Sequence, residues 1–468
     1  MFGLKIRYLS FFFGLISILS FFNVVYSYYL NLYLNLNTYY ISLFVSLFIA
    51  LLFYKFERVQ LKATIFDKIL TVFFGYILIP LVLSLPFYFS IYNLTFLDSF
   101  FEASSGFTST GFTIFESIKN IDQSLILWRS SIQWIGGLYF LFSIIYLIDI
   151  YDESFKKSLT NYLSFNSSEI LKQTSKIFLL YCGLTLFIFI TLNLISIRSF
   201  DSLNLAFTII SSGGFLPTNE LSNILKNNTQ IIIFSLLLLF SYFSIFFSYN
   251  LFFFKKKSIN FFYEDLHLIF YYLTVVLIFF LFFSFNDDFS VNLLSLSSSM
   301  SNIGFSLDFN QSKLNFIYLI LVLIGGSFFS TSSGLRFIKI YSLFKYSINQ
   351  ILSFSRPKNI FMNKLLFTKI NFDFKEINKY FLTVILFILS LFILTILLTL
   401  GQIDFESAFK LAILTLMNTV NSTAYGLADF EFYNLHYFTK YCLILFMIIG
   451  RIELLTVLII IKKFLFKD

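Results

Sequence analysis

Uncharged runs of about 18 or more residues recur along this 468-residue chain. As a helix, such a run crosses the ~30 Å hydrocarbon layer of a bilayer. The apolar spans lie approximately at 8–30, 38–54, 69–92, 124–150, 177–197, 229–254, 263–285, 314–345, 380–400 and 437–461. In hydrocarbon a backbone must pair with itself, so these spans read as helices of a polytopic membrane protein. The charged fraction agrees: 12% here, against about 25% in soluble chains. The first span is too long for a signal peptide and reads as a retained helix.

Four short polar turns interrupt this pattern: Thr108–Phe112, Ser211–Phe215, Ser301–Phe305 and Asn421–Tyr425. Gly111 to Gly214 is 103 residues, Gly214 to Gly304 is 90, and Gly304 to Ala424 is 120. A spacing near a hundred residues marks an internally duplicated architecture. Before each turn lies a short, mostly apolar stretch: Leu97–Phe107, Leu203–Ser211, Leu293–Ser301 and Phe405–Val420. Most are too short to cross a bilayer and read as re-entrant half-helices. Their C-terminal ends carry partial negative charge and face the turns, which favours a cation there. The repeated unit is span, half-helix, turn, span. The boundaries expected are a two-helix unit at 1–56 and repeats at 57–152, 153–256, 257–350 and 351–468.

Hydroxyls and glycines at membrane depth must be paired or must line a wet cavity. The reading that fits four equivalent turns is a ring of backbone carbonyls replacing the water around a passing cation. Gapless alignment on the aromatic that closes each turn pairs Thr110–Gly111 with Gly213–Gly214, Ile303–Gly304 and Thr423–Ala424. Ser109, Ser212 and Asn302 come one residue earlier, placed either to pin the loop or to touch an ion. The fourth turn lacks the expected glycine. An alanine pays about 1 kcal/mol or more for a left-handed conformation, so Ala424 becomes the point on which ion selectivity turns.

Loop charge is lopsided. Twenty-five of the 33 basic residues fall in one alternate set of loops, including Lys255–Lys257 and much of Arg336–Lys379. The positive-inside rule makes that set, with both termini, cytoplasmic. All four turns then lie outside, where 13 acids, among them Asp98, Glu102, Asp201, Asp287, Asp288, Asp404, Glu406 and Asp429, face six bases. Such a face either concentrates cations or is ordinary solvated loop. The basic loops serve either a docking partner or lipid head groups. The net charge of +8 is explained by this sidedness and requires no nucleic acid. Cys182 and Cys442 sit inside apolar segments, and His267 and His436 are isolated. Neither a metal cluster, a nucleophile triad nor a phosphate loop is present in the sequence, so no catalysis and no bound cofactor are expected.

Two further features need a reason. Gly325-Gly-Ser-Phe-Phe-Ser-Thr-Ser-Ser-Gly334 packs three glycines and five hydroxyls into one apolar span. The run is contiguous rather than helically spaced, which favours an intramembrane loop over a small-residue packing face. Arg451 lies within the last span. A charge at mid-membrane costs at least about 2.5–3.5 kcal/mol, so it faces a pore, pairs with Glu453 or snorkels to the interface.

Phe101–Gly111, Trp128–Gly137, Gly325–Gly334 and Gly450-Arg-Ile-Glu453 together, in this order, resemble the Trk/Ktr/HKT superfamily of potassium transporters, and within it the TrkH-like branch. The resemblance implies an all-α membrane protein with four M1–P–M2 pore repeats around a central pseudo-fourfold pore, plus two N-terminal helices. It implies potassium uptake, a homodimer in the cytoplasmic membrane and a cytosolic nucleotide-binding, TrkA-like regulatory subunit. K+ would bind at Thr110, Gly111, Gly213, Gly214, Ile303, Gly304, Thr423 and Ala424. The gate would comprise Gly325, Gly326, Ser327, Ser330, Thr331, Ser332, Ser333, Gly334 and Arg451. At about 8 Å and an effective dielectric near 20, Arg451 would repel the ion by about 2 kcal/mol. A sodium or mixed-cation transporter of the same fold is the alternative, supported by Ala424.

Overall fold

In the computed structural model, the described residues are 6–56, 64–147, 170–253, 263–283, 289–307, 314–354, 374–428 and 430–452. They are mostly helical. The N-terminal helices α1 (Ile6–Tyr29) and α2 (Leu36–Phe56) pack along one another. Helix α3 (Ile65–Leu83) starts with a capping box between Thr64 and Asp67 and continues after Ser84 as the short α4 (Leu85–Tyr88). There follow α5 (Phe96–Phe107), α6 (Gln123–Tyr146), α7 (Ile170–Leu194), α8 (Ser199–Ser211), α9 (Asn228–Tyr242) and α10 (Ile245–Phe253). The second half holds α11 (Tyr263–Phe283), α12 (Phe289–Met300), α13 (Asn315–Leu323), α14 (Phe337–Ser353), α15 (Phe374–Leu400), α16 (Phe405–Leu416) and α17 (Tyr437–Ile452).

Among the described residues six segments are long and apolar enough to cross a membrane: Tyr8–Tyr29, Leu36–Lys55, Ile65–Tyr88, Thr174–Leu194, Tyr263–Phe282 and Ile377–Leu400. These present many large apolar side chains on their outer faces, such as Phe44, Leu186, Phe280 and Ile396. Lipid is the medium in which that exposure is favourable.

Four helices are different. α5, α8, α12 and α16 are 12, 13, 12 and 12 residues long. At 1.5 Å per residue they reach about 18–20 Å, short of a bilayer. Two of them start on side-chain caps. Thr95 accepts from the Asp98 N–H at the start of α5, and Asp404 accepts from the Ser407 N–H at the start of α16. Packing contacts run from α5 to α6, α8, α9, α12, α13, α16 and α17, and from α17 back to α5. The short helices therefore alternate with α6, α9, α13 and α17 in a closed circuit. At Gly136 in α6, a Cβ would lie 2.0 Å from the Phe107 carbonyl oxygen. Only glycine lets α6 approach the end of α5 this closely.

The segment 229–254, expected as one span, is two helices that part at Phe243–Ser244. The Asp265 carboxylate accepts from the Ser244 N–H at 2.8 Å and from its hydroxyl at 2.6 Å. Ser244 Oγ in turn accepts from the Phe247 N–H and starts α10. The carbonyls freed by the break do not go unpaired. Ser241 O accepts from the Ser332 N–H, and Tyr242 O accepts from the Ser327 N–H. Both donors belong to the segment between α13 and α14. That segment is a loop pinched at its base by a two-residue parallel pairing of β1 (Ile324–Gly325) with β2 (Leu335–Arg336).

Candidate functional site: four helix ends and an intramembrane loop

Each short helix ends in the same hydrogen-bonded turn. After α5, the Ser109 N–H bonds to Gly106 O and the Thr110 N–H to Ser105 O. After α8, the pairs are Ser212 to Ile209 and Gly213 to Thr208. After α12, they are Asn302 to Ser299 and Ile303 to Ser298. After α16, they are Asn418 to Thr415 and Thr419 to Leu414. This is the Schellman motif, which satisfies the last carbonyls of a helix and places the residue after its end in the left-handed region. Ser109, Ser212, Asn302 and Asn418 stand there, with φ of 59°, 56°, 57° and 47°.

The fourth turn is therefore Asn418-Thr419-Val420, not Thr423–Ala424. Thr423–Tyr425 is a separate 3₁₀ turn, and its left-handed residue is Gly426 (φ 68°). Alignment on the closing aromatic failed because four residues separate Val420 from Tyr425, whereas Gly111, Gly214 and Gly304 are each followed directly by phenylalanine. Geometrically, Thr419 corresponds to Thr110, Gly213 and Ile303. Val420 corresponds to Gly111, Gly214 and Gly304. The strain expected at Ala424 does not arise. Gly111 and Gly304 have φ of 85° and 92°, whereas neither Gly214 nor Val420 lies at positive φ. The valine occupies a quarter whose backbone suits an L-residue.

The left-handed residues pin the turns to one another. Ser212 Oγ donates to Ser301 O at 2.7 Å. Asn302 Nδ2 donates to Val322 O at 2.7 Å. Asn418 Nδ2 donates to Thr110 Oγ1 and to Met447 O, both at 2.9 Å. Of the two roles open for such residues, pinning is the one with contacts on display. The Val420 N–H donates to Ile303 O at 3.3 Å, joining the fourth turn to the third.

Gly111, Gly214, Gly304 and Val420 converge on the floor of one cavity of about 680 Å³, whose wall includes Thr113, Phe215, Phe305, Asn421, Thr423 and Phe432. The exposed carboxylates Glu116, Glu220 and Glu431 also line it. Two outer acids expected at the surface are instead buried and paired. Glu102 accepts from Arg129 Nε at 2.8 Å, from Thr113 Oγ1 at 3.1 Å and from the Ile114 N–H at 2.9 Å. Arg129 also lies 4.2 Å over the Phe215 ring. One ion pair thus braces the segment leaving the first turn and the residue closing the second. Asp98 accepts from Lys440 Nζ at 2.7 Å, tying α5 to α17. Asp287, Asp288 and Asp429 lie outside the described residues. Asp404 is exposed, and the Ser407 N–H holds its carboxyl below the usual range, so the helix cap stays ionised.

On the other side of the turns lies the loop Gly325–Gly334. The expectation of a non-helical segment agrees with its backbone. Thr331 Oγ1 donates to Ile210 O at 2.7 Å. Phe328 N–H donates to Glu264 at 2.9 Å. Arg336, assigned from sequence only to a basic loop, is buried and holds the loop from within. Its Nη1 donates to Ser327 O (3.0 Å), Ser330 Oγ (3.2 Å) and Ser332 O (3.0 Å). Arg451 is also buried. It donates to Ser333 Oγ, approaches Ser109 Oγ at 3.4 Å and Ser211 O at 3.5 Å, and lies 4.2 Å over the Phe140 ring. Arg336 sits 5.1 Å from the same ring. Arg451 thus touches the first turn, the end of α8 and the loop at once, buried inside the protein. Glu453 lies outside the described residues, as do Lys255–Lys257 and residues 355–373 of the basic loops.

Among the described residues, His, Cys, Asp and Glu side chains form no metal-holding group of three. Residues that sequence reading missed are Asn418, Thr419 and Val420 in the fourth turn, the Glu102–Arg129 and Asp98–Lys440 pairs, and Arg336. The signal for the first two was available: Asn418-Thr419 repeats the polar helix-end step of Asn302-Ile303.

No family model matches the chain. It is 24% identical over 395 residues to the Trk system potassium uptake protein TrkH of Escherichia coli, covering 81% of each chain. It is 22% identical over 428 residues to the Trk system potassium uptake protein TrkG of the same organism, covering 86% of each. Among solved structures, the potassium transporter TrkH from Vibrio parahaemolyticus superposes with a TM-score of 0.82 over 97% of each chain, at 21% identity.

Proposed function

We propose that the chain is a TrkH-like member of the Trk/Ktr/HKT superfamily, a transporter rather than an enzyme, and that it carries potassium into the cell through a central pore. Its relatives are named for potassium uptake. The observation that carries the reading is the convergence of four like turns on one vestibule floor. In this reading the repeats at 57–152, 153–256, 257–350 and 351–468 surround the pore, and the unit at 1–56 flanks it.

The filter consists of Thr110, Gly111, Gly213, Gly214, Ile303, Gly304, Thr419 and Val420. Each turn caps a helix C-terminus, whose partial negative charge favours a cation. Backbone carbonyls there replace hydration water. Below the filter, Gly325, Gly326, Ser327, Ser330, Thr331, Ser332, Ser333 and Gly334 form a gating loop, latched by Arg336 from within and by Arg451 from α17. The Arg451 charge opposes the cation by about 2 kcal/mol at about 8 Å, a barrier that slows flow without stopping it. A potential of 100 mV, negative inside, contributes about 2.3 kcal/mol per charge to uptake. The termini and basic loops lie in the cytoplasm, where a TrkA-like nucleotide-binding subunit docks on a homodimer.

A sodium or mixed-cation transporter is the second reading. Its support moves from Ala424 to Val420, the one filter position of its kind without a glycine. Uptake of rubidium and sodium by cells lacking their own potassium systems decides between them. Rubidium uptake with growth at low potassium is expected. Sodium uptake equal to that of rubidium would select the second reading, and transport of neither would sink both.

A further inference from the structure

We propose that Val420 is the residue that limits entry, acting as an apolar constriction across the mouth of the filter. This rests on the pore reading above.

The fourth turn adjoins the third through Val420 N–H to Ile303 O, and the first through Asn418 to Thr110. The second turn, in the order of packing contacts, is its opposite. Yet the valine side chain reaches that opposite quarter. A Cβ placed on Gly214 would lie 2.4 Å from Val420 Cβ and 3.0 Å from each of its methyl carbons. A Cβ on Gly304 would lie 2.9 Å from Val420 Cγ1. On the remaining side, a Cβ on Gly111 would lie 2.6 Å from Gly214 Cα. The three glycine positions have no room for a side chain, and the isopropyl group takes up the space beside Gly214 and Gly304.

Two physical consequences follow. An apolar group at a pore mouth offers no oxygen to a cation that is shedding water, and apolar constrictions gate by dewetting. Valine is also stiff about χ1, so the group yields less readily than a linear side chain of similar size. Cation entry then costs a local displacement of Val420 on top of dehydration. The valine is tolerated there because the second and fourth quarters do not use positive φ, unlike the first and third.

The test is uptake of rubidium and caesium by cells expressing the wild type, Val420→Ala, Val420→Gly and Val420→Leu, each normalised to its abundance in the membrane. Rubidium uptake should rise several-fold from valine through alanine to glycine. The caesium-to-rubidium ratio should rise with it, and Val420→Leu should fall below the wild type. Wild-type rates and ratios in both smaller variants, with the wild type itself active, would overturn the constriction and leave the pore reading standing. Lower uptake in both smaller variants would also overturn it, by making Val420 a support of the turn. Absence of rubidium uptake in every chain, the wild type included, would take away the pore reading and the proposal with it.

Discussion

At the scale of single residues, the site depends on four side chains in an unfavourable backbone region. Asn418 is the most instructive. It sits at φ 47° and spends its amide on two acceptors from two other elements. Alanine there would keep the left-handed strain, about 1–2 kcal/mol, and lose two hydrogen bonds of about 0.5–1.5 kcal/mol each. Glycine would lose the same bonds without the strain. Thermal unfolding in detergent should therefore rank wild type above Asn418→Gly, and Asn418→Gly above Asn418→Ala. An inverted order between the two variants would remove the left-handed cap as the reason for asparagine. This residue also shows how the sequence misled. Gly111, Gly214 and Gly304 each precede a phenylalanine, so Tyr425 looked like the fourth closing aromatic. The Schellman hydrogen bonds depend on the helix end instead, and that end puts the turn four residues upstream, at Val420 rather than Ala424.

At the scale of elements, the short helices and the loop were legible because their physics is local. A stretch too short to cross a bilayer, followed by hydroxyls and glycine, has few other solutions. The break between α9 and α10 was not legible, because Phe243-Ser244 carries neither glycine nor proline. What permits it is remote: Asp265 on α11 and the N–H groups of Ser327 and Ser332. The role of Arg336 was hidden in the same way, since a basic residue near an apolar span resembles any cytoplasmic flank. The loop and α17 meet through Arg451 and Ser333. Arg451→Gln removes the charge and keeps donors for Ser333. With a barrier of about 2 kcal/mol, rubidium uptake should rise about thirtyfold. An unchanged rate, at equal membrane abundance, would mean that the guanidinium only braces the loop and poses no electrostatic barrier.

At the scale of the whole molecule, the outer surface is where sequence arithmetic and three-dimensional placement diverge most. Asp98 and Glu102 count as outer acids in the sequence, but both are buried against Lys440 and Arg129. They order the site and add little field. The charge available to an approaching cation near the filter is on Glu116, Glu220 and Glu431, all exposed on the vestibule wall. At roughly 10 Å in water each attracts a monovalent cation by about 0.4 kcal/mol, and three by about 1.2 kcal/mol. That corresponds to a several-fold local enrichment at low salt. Replacing all three by glutamine should lower rubidium uptake several-fold near 0.01 M ionic strength, where the Debye length is about 30 Å. The deficit should shrink toward nothing by about 0.2 M, where the screening length falls below 10 Å. A deficit that stays constant across that range would show that the carboxylates touch the ion directly, and steering would then give way to a binding site in the vestibule.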